Sequence, residues 1–375
     1  MDWQEIIRDN VTTAEELRAV LKLSDEEYRN IRDEAALFPM SVTRYYLSLI
    51  DPDDPDDPIR KMAVPSGKNV LLEGEFDTSG EKSNTVSRGL QHKYAQTVLA
   101  LTTQTCAMYC RHCFRRRLVG LETDETADDI AAAGAYIKAH PEVSNILLTG
   151  GDAFLLTTDQ IEAWLKNAAG LPQLSFVRFG TRTPVTFPQR ILLDPSLCEV
   201  LRKYGKKKQI YVITHFNHPK EMTEESESAV RMLQDAGVVV KNQTVLMRGI
   251  NDDAEILGTL LEKLTSWGIV PHYIFQCRPV KGVKFLFQVP FGEGLSIVQK
   301  ANAMQNGLGK AADYTMSHVT GKIRILGRLS DGRLLFQYKQ AKDPSMIGKI
   351  LAGDAGELTW LPDDITSGAN PLMEV

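Results

Sequence analysis

Nowhere do the 375 residues approach the about eighteen consecutive apolar positions that a membrane-crossing helix needs. The acidic start, Met1-Asp-Trp-Gln-Glu-Ile-Ile7, also lacks the basic stretch and apolar segment of a secretory leader. A cytoplasmic protein without a membrane partner is the expectation. Cysteine is scarce: of five, three crowd into Cys106–Cys113 and only Cys198 and Cys277 lie elsewhere, which makes no disulfide framework and fits a reducing compartment. Positive charge is not in surplus either. A net charge of −5 gives no broad basic field, so nucleic acid is not an expected partner. Internal repeats are absent, and the one biased stretch is Asp51-Pro-Asp-Asp-Pro-Asp-Asp-Pro58.

What is present centres on Cys106-Ala-Met-Tyr-Cys110-Arg-His-Cys113, directly after the apolar run Val98-Leu-Ala-Leu-Thr-Thr103, which reads as a strand ending in a polar turn. A loop at a strand's end can curl its thiolates around one point. Iron–sulfur clusters are usually held by four cysteine thiolates, so three leave one iron with an open coordination position, and an open position goes with chemistry. The competing readings are a structural zinc knuckle and a chance set of thiols. Zinc wants a fourth ligand, and His112, wedged between Cys110 and Cys113, is badly placed to reach the same ion as both neighbours.

Along the chain, residues 1–65 read as a helical region ending in the acidic, proline-rich linker, with capping boxes at Thr13-Ala-Glu-Glu16 and Ser24-Asp-Glu-Glu27 and a third helix over Ser41–Ile50. Residues 66–300 alternate short apolar runs with amphipathic segments, the pattern of βα units on a parallel sheet. The candidate strands are Thr97–Leu101, Asn145–Leu148, Ser175–Phe179, Gln209–Ile213, Val238–Val240 with Val245–Met247, and His272–Phe275. Six such units predict an α/β fold, a partial (β/α)6 TIM-like barrel with its site at the carboxyl ends of the strands. Residues 301–375 lose the βα rhythm and read as a small β-containing segment, with a hairpin turning at Ser330-Asp-Gly332.

Polar motifs fall at those strand ends: Thr149-Gly-Gly-Asp152, Gly180-Thr-Arg-Thr-Pro184, Thr214-His-Phe-Asn-His-Pro219, Asn242-Gln243 and Gln276-Cys-Arg278. Paired glycines let a backbone approach a ligand closely, although a tight turn between strand and helix needs them as well. His215 and His218 are not spaced on a helix, because a strand precedes and Pro219 follows, so loop hydrogen bonding competes with metal binding there.

The cysteine spacing resembles that of the radical S-adenosylmethionine (radical SAM) enzymes. A narrower resemblance rests on Gly89-Leu-Gln-His-Lys-Tyr94, Cys106 to Arg117, Leu148-Thr-Gly-Gly-Asp152, Arg182-Thr-Pro-Val185, Thr214 to Pro219, and Asn242-Gln-Thr-Val-Leu246 with Arg248-Gly-Ile-Asn251. These motifs are similar to those of the lysine 2,3-aminomutase family. The resemblance implies a radical SAM barrel and a 4Fe–4S cluster on Cys106, Cys110 and Cys113. SAM would then be bound by Gly150, Gly151, Asp152, His215, Asn217 and Gln243. Arg115 would meet the carboxylate of an amino-acid-like substrate, a role suited to a planar fork. Also implied are a reductant such as flavodoxin or ferredoxin, and pyridoxal 5′-phosphate (PLP) for migration of an amino group, an isomerase activity. Monomer and homo-oligomer both stay open.

Several family features are missing. No Lys-Thr-Pro carries a PLP lysine, and Thr97 stands where the family places a PLP-contacting arginine; both losses argue against the family's usual use of PLP. Where the family's aspartate meets the substrate's distal ammonium, this chain has Arg278, and Lys241 replaces a small residue. A substrate with a distal anion is the expectation that follows, with Arg278 and Lys241 facing it. A PLP-independent epimerase, dehydrogenase or mutase on the same scaffold is a second reading, and a non-catalytic iron–sulfur redox sensor a third.

Overall fold

Six apolar runs, each followed by an amphipathic helix, form the parallel strands of one sheet. The computed structural model describes residues 2–67, 73–364 and 372–374. Its sheet has thirteen strands in chain order: β1 (Thr85–Ser87), β2 (Leu90–Tyr94), β3 (Thr97–Thr103), β4 (Asn145–Gly150), β5 (Phe176–Gly180), β6 (Gln209–Thr214) and β7 (Val239–Leu246), then β8 (Val270–Gln276), β9 (Asp313–Ser317), β10 (Gly321–Arg328), β11 (Leu334–Ala341), β12 (Ile350–Gly353) and β13 (Leu372–Glu374). The pairs from β3 through β9 are parallel, and those on either side are antiparallel. The helices Ile130–Ala139, Thr158–Ala169, Pro195–Gly205, Glu224–Asp235, Ala254–Ser266 and Phe291–Ala303 follow β3 to β8 in turn. This is the partial (β/α)6 barrel expected, with β9 added as one more parallel strand after the point where the sequence rhythm fades.

Two expectations change. The interrupted strand near Val238 is continuous: β7 runs unbroken through Lys241-Asn-Gln-Thr244, its residues alternating half-buried and buried. The polar side chains mark a strand with a polar lumen on one face, and Asn242 and Gln243 lie mid-strand. Ser41–Ile50 is helical only over Arg44–Leu47, because Val42 pairs with Val11 in a β-bridge and Thr43 caps the short helix behind it.

Both capping boxes of the N-terminal region form, on the helices Ala14–Val20 and Asp25–Ala35. The acidic stretch after them is no free linker. Asp57 is fully buried, accepts from the main-chain nitrogens of Ile59 and Arg60 at 2.8 and 2.9 Å, and takes the Lys220 ammonium at 2.8 Å. At the other end, the hairpin β10–β11 turns where Ser330-Asp-Gly332 predicts, and its buried face joins the helix Phe291–Ala303 in a second core. The open side of the barrel is bridged there too: the ammonium of Lys93 on β2 donates to the carbonyl of His318, just past β9, at 2.7 Å, and to that of Ser79 at 3.3 Å.

In the second core Phe336 is fully buried, edge-on to Phe291 at 5.5 Å. Phe336→Ala should cost about 3–5 kcal/mol, the usual range for such a cavity, seen as a lower urea midpoint.

Candidate active site

The cysteine loop leaves β3 and is fastened to the N-terminal region through main-chain atoms. The Asn10 amide donates to the Ala107 carbonyl (2.8 Å), Tyr109 N to Ser41 O (2.9 Å), and Arg111 N to Met62 O (3.0 Å). From the other side the glycine pair presses on its root. Gly150 has φ of +126°, and a Cβ on Gly151 would lie 2.3 Å from the Thr105 carbonyl oxygen, so no larger residue fits without moving the loop. Gly151 N donates to Thr103 O at 2.6 Å and Asp152 N to Thr105 O at 2.8 Å. The pair therefore shapes the approach to Cys106 as well as presenting backbone to a ligand.

Arg182, at the end of β5, ties the surroundings together. Its guanidinium donates to Cys110 Sγ (2.8 Å), to the Tyr46 hydroxyl (3.2 Å) and to the His215 carbonyl (3.0 Å), and pairs closely with the fully buried Glu221. Burial alone would lower its pKa, but the Cys110 sulfur, Tyr46 and Glu221 outweigh burial and hold it well above the usual arginine value. Glu221 Oε2 accepts from the main-chain nitrogens of Asn217 and His218 at 2.5 and 3.0 Å, which fixes the loop after β6. The sequence motif Arg-Thr-Pro flagged Arg182 without a role, and nothing local marked Tyr46 or Glu221.

The donor set fits an iron–sulfur cluster better than a single ion. Among the described residues, the three-ligand group whose atoms lie within 4.8 Å of one another is His92, His140 and Glu142, not the cysteines. Three sulfurs around one zinc would be nearer than that, given Zn–S bonds of about 2.3 Å, whereas separate irons of a cluster spread them. Burial first, with Asp152 and the neighbouring thiols, pushes Cys106 far up, and burial pushes Cys113 up to about 11. Iron would relieve that cost by neutralising the thiolates. A crevice lined by Phe38, Pro39, Met40 and Tyr109 reaches Cys110 and Cys113.

The residues expected around SAM are gathered beside this loop, with different degrees of freedom. Asp152 is buried and committed: its oxygens accept from Phe154 N (2.9 Å) and Arg182 N (2.7 Å). Asn217 accepts from Val245 N at 2.8 Å through Oδ1, while its buried Nδ2 has no partner. Such an orphaned donor is costly unless a ligand meets it. Burial, followed by Arg182, lowers His215 to about 4, against a hydrogen bond to the Gln243 main chain. The ring is therefore neutral. The group fits SAM in character: neutral donors and acceptors beside the glycine pair Gly150 and Gly151.

The expected substrate residues are not together. Arg115 is buried and already paired: Nε and Nη2 each meet Glu81 Oε1 at 2.9 Å, Nη1 meets Thr149 Oγ1 at 3.1 Å, and its main-chain N donates to Cys113 Sγ at 3.3 Å. Glu81, lowered by Arg115, Arg117 and Arg278 against the effect of burial, was not anticipated. Arg278 donates only to the hydroxyls of Ser79, Thr78 and Ser317 and has no ion pair among the described residues. Lys241 stands elsewhere. Opposite Val270 at the start of β8, it is most of a strand, roughly 20 Å, from Arg278 beyond the end of β8. The lumen between them holds further cations: Arg178, Lys93, Lys322 and Lys339.

A barrel of βα units with a three-cysteine loop at its carboxyl end, glycines under the loop and orphaned donors beside it defines the radical SAM class. The Radical SAM superfamily model matches residues 101–260. The chain is 40% identical over 351 residues to a protein of Aquifex aeolicus (strain VF5) provisionally named L-lysine 2,3-aminomutase, covering 93% of both chains. It is 39% identical to the L-lysine 2,3-aminomutase of Clostridium subterminale (82% of this chain, 73% of that one) and 36% identical to the glutamate 2,3-aminomutase of Clostridioides difficile (strain 630) (82% and 71%). The chain belongs to the lysine 2,3-aminomutase-like family of radical SAM enzymes. Among the described residues no helix is long and apolar enough to cross a membrane.

Replacing Arg182 by Met leaves Glu221 buried without its cation. A loss of about 3–5 kcal/mol is expected in chemical denaturation, far more than for an exposed pair. A second outcome concerns pH. Burial, then neighbouring cations, lowers Lys93 and Lys322 from 10.5 to about 7. Between pH 7 and 9 the unfolded chain keeps these protons and the folded chain sheds them, so their contribution makes stability rise with pH. Lys322→Met should flatten that rise in melts from pH 7 to 9; an unchanged slope would contradict it.

Proposed function

We propose that the protein cleaves SAM reductively at a 4Fe–4S cluster held by Cys106, Cys110 and Cys113, and abstracts hydrogen from an amino-acid-like substrate whose distal group is an anion. The observation that carries the substrate reading is Arg278, a half-buried guanidinium at the cluster end of the lumen with hydroxyl partners only. An acid such as a carboxylate or phosphate supplies the missing counter-charge, and a distal ammonium would add to a surplus. The relative named for glutamate shows that an acidic side chain occurs within the family. Aminomutation, an isomerisation, is the outcome that agrees with the relatives, with a flavodoxin- or ferredoxin-like protein as reductant.

When bound, the cluster and SAM supply a hydrogen-abstracting 5′-deoxyadenosyl radical. The chain's own residues do the rest. Arg182 donates to the Cys110 sulfur, and a charged hydrogen bond there favours the reduced cluster. Gly150, Gly151, His215, Asn217 and Gln243 form the SAM surface. Asp152 holds the Arg182 loop. A substrate carboxylate at Arg115 must compete with Glu81, so Arg278 is the freer anion site, and Lys241 faces the far end of the lumen.

The test is anaerobic turnover with deuterated amino acids, reading label in 5′-deoxyadenosine. Glutamate or another acidic amino acid should transfer label, and Arg278→Gln should lower kcat/KM roughly tenfold to a hundredfold, the worth of one hydrogen bond to a charged group. Transfer from lysine alone sinks the anionic reading. Cys106→Ala should abolish both the cluster's visible absorbance and 5′-deoxyadenosine formation, and a wild-type protein that binds iron but never cleaves SAM would instead be a sensor.

A further inference from the structure

Lys322 stands on β10 directly across from Ser317, whose hydroxyl accepts from Arg278 at 2.8 Å. Its strand neighbours Ile323 and Ile325 are buried in the C-terminal core, so the alternation of the strand turns Lys322 the other way, into the lumen. Lys322 Nζ lies 4.5 Å from the ring centre of Tyr273 and 5.9 Å from that of Phe275, and these two rings stack on each other at 5.0 Å.

The other lumen lysines at this end are occupied. Lys93 donates to two carbonyls, and Lys339 is held by Asp313 at 2.5 Å. Asp313 is shared with Arg324, and Glu81 with Arg115 and Arg117, so neither carboxylate is left for Lys322, which has no hydrogen bond or ion pair among the described residues. Lys241 is also unpaired, but its ammonium lies over the ring of Tyr211 on β6 at 5.6 Å and not over the Tyr273–Phe275 pair. Burial, then Arg178, Lys339, Lys93 and Arg278, brings Lys322 to about 7, so much of it is an uncharged amine at neutral pH. It nevertheless keeps some accessible surface for a ligand to reach. A desolvated lysine among other cations is the standard arrangement for an amine nucleophile.

We propose that Lys322 condenses with a carbonyl compound bearing an anionic group and holds it in the lumen as an imine. The nitrogen lone pair forms the C–N bond, and the carbonyl oxygen leaves as water with the two amine hydrogens; no oxidant or reductant is needed. Guanidinium groups flank the site for the anion. Arg278 has only hydroxyl partners, and Arg178 donates through Nη2 to Asn145 (2.6 Å) and Thr97 (3.5 Å) while its buried Nε has no partner. Phe275, half-buried and stacked on Tyr273, adds an aromatic wall beside the ammonium. Two sources share this chemistry: a phosphorylated aromatic aldehyde such as PLP, held here by a lysine outside the family's Lys-Thr-Pro position, or a carbonyl acid.

The proposal does not depend on SAM cleavage and is read without turnover. The full chain is mixed with one equivalent of PLP or, separately, pyruvate, reduced with borohydride, and mapped by peptide mass spectrometry. An adduct on Lys322 with PLP alone assigns the phosphorylated aldehyde, and one with pyruvate as well assigns the carbonyl acid. Formation should be half-maximal near pH 7. Lys322→Arg, whose guanidinium cannot form the imine, should lower the adduct at least about tenfold while circular dichroism shows the variant folded, and Lys241→Arg retains the adduct. No adduct on Lys322 of the wild type with either probe, an equal spread over surface lysines, or a profile centred near pH 10 would overturn the assignment.

Discussion

The buried guanidinium of Arg182 is the constraint on which the rest of the site depends. It reaches three parts of the chain at once: the cysteine loop through Cys110, the N-terminal region through Tyr46, and the β6 loop through both His215 and Glu221. Glu221 then spends its second oxygen on the main chain at Asn217 and His218. A buried ion pair is a poor source of net stability, because desolvation of both charges offsets most of their attraction. What such a pair provides when every donor and acceptor is used is a single geometry. Here that geometry places one cysteine sulfur, one orphaned amide and one neutral histidine around the same space.

The lumen obeys the opposite arithmetic. Its carboxylates are outnumbered, and the unmatched cations lie on strands whose outer faces pack under helices. β10 is the clearest case, with Ile323 and Ile325 in a dry core and Lys322, just before them, on the opposite face. Burying charge without a partner is costly, and proteins tolerate it where a ligand completes the balance. Burial first, and neighbouring cations after it, lower Lys93 and Lys322 to about 7.

How much of this could be read from the chain depended on whether the signal was local. Strands with two buried faces are continuous apolar runs, so β3 to β6 and β8 were placed within a residue or two, and capping boxes gave the early helices. The three cysteines and the glycine pair announced themselves by spacing. β7 did not, because a strand lining a polar lumen carries Lys241-Asn-Gln-Thr244 and looks broken. Asp57 was hidden inside an acidic stretch whose other members are solvated. Partners such as Glu81, Tyr46 and Glu221 are set by tertiary placement alone: Arg182 to Tyr46 spans 136 residues. Lys241 and Arg278 share a chemistry, and only strand register separates them, with Lys241 opposite the start of β8 and Arg278 beyond its end.

One short segment joins the two halves of the site. The Arg115 main chain donates to the Cys113 sulfur while its side chain braces Thr149 under the glycine pair and meets Glu81 in the lumen. The preceding ring, Phe114, lies between two guanidinium groups, Arg115 at 4.7 Å and Arg278 at 4.5 Å. The ring that Arg278 touches thus has a backbone neighbour bonded to a cysteine sulfur, and that neighbour's side chain also holds the glycine loop through Thr149. Tight packing of this kind transmits displacement instead of absorbing it. Cys113, Phe114 and Arg115 thus join the cysteine loop to the end of the lumen that holds Arg278.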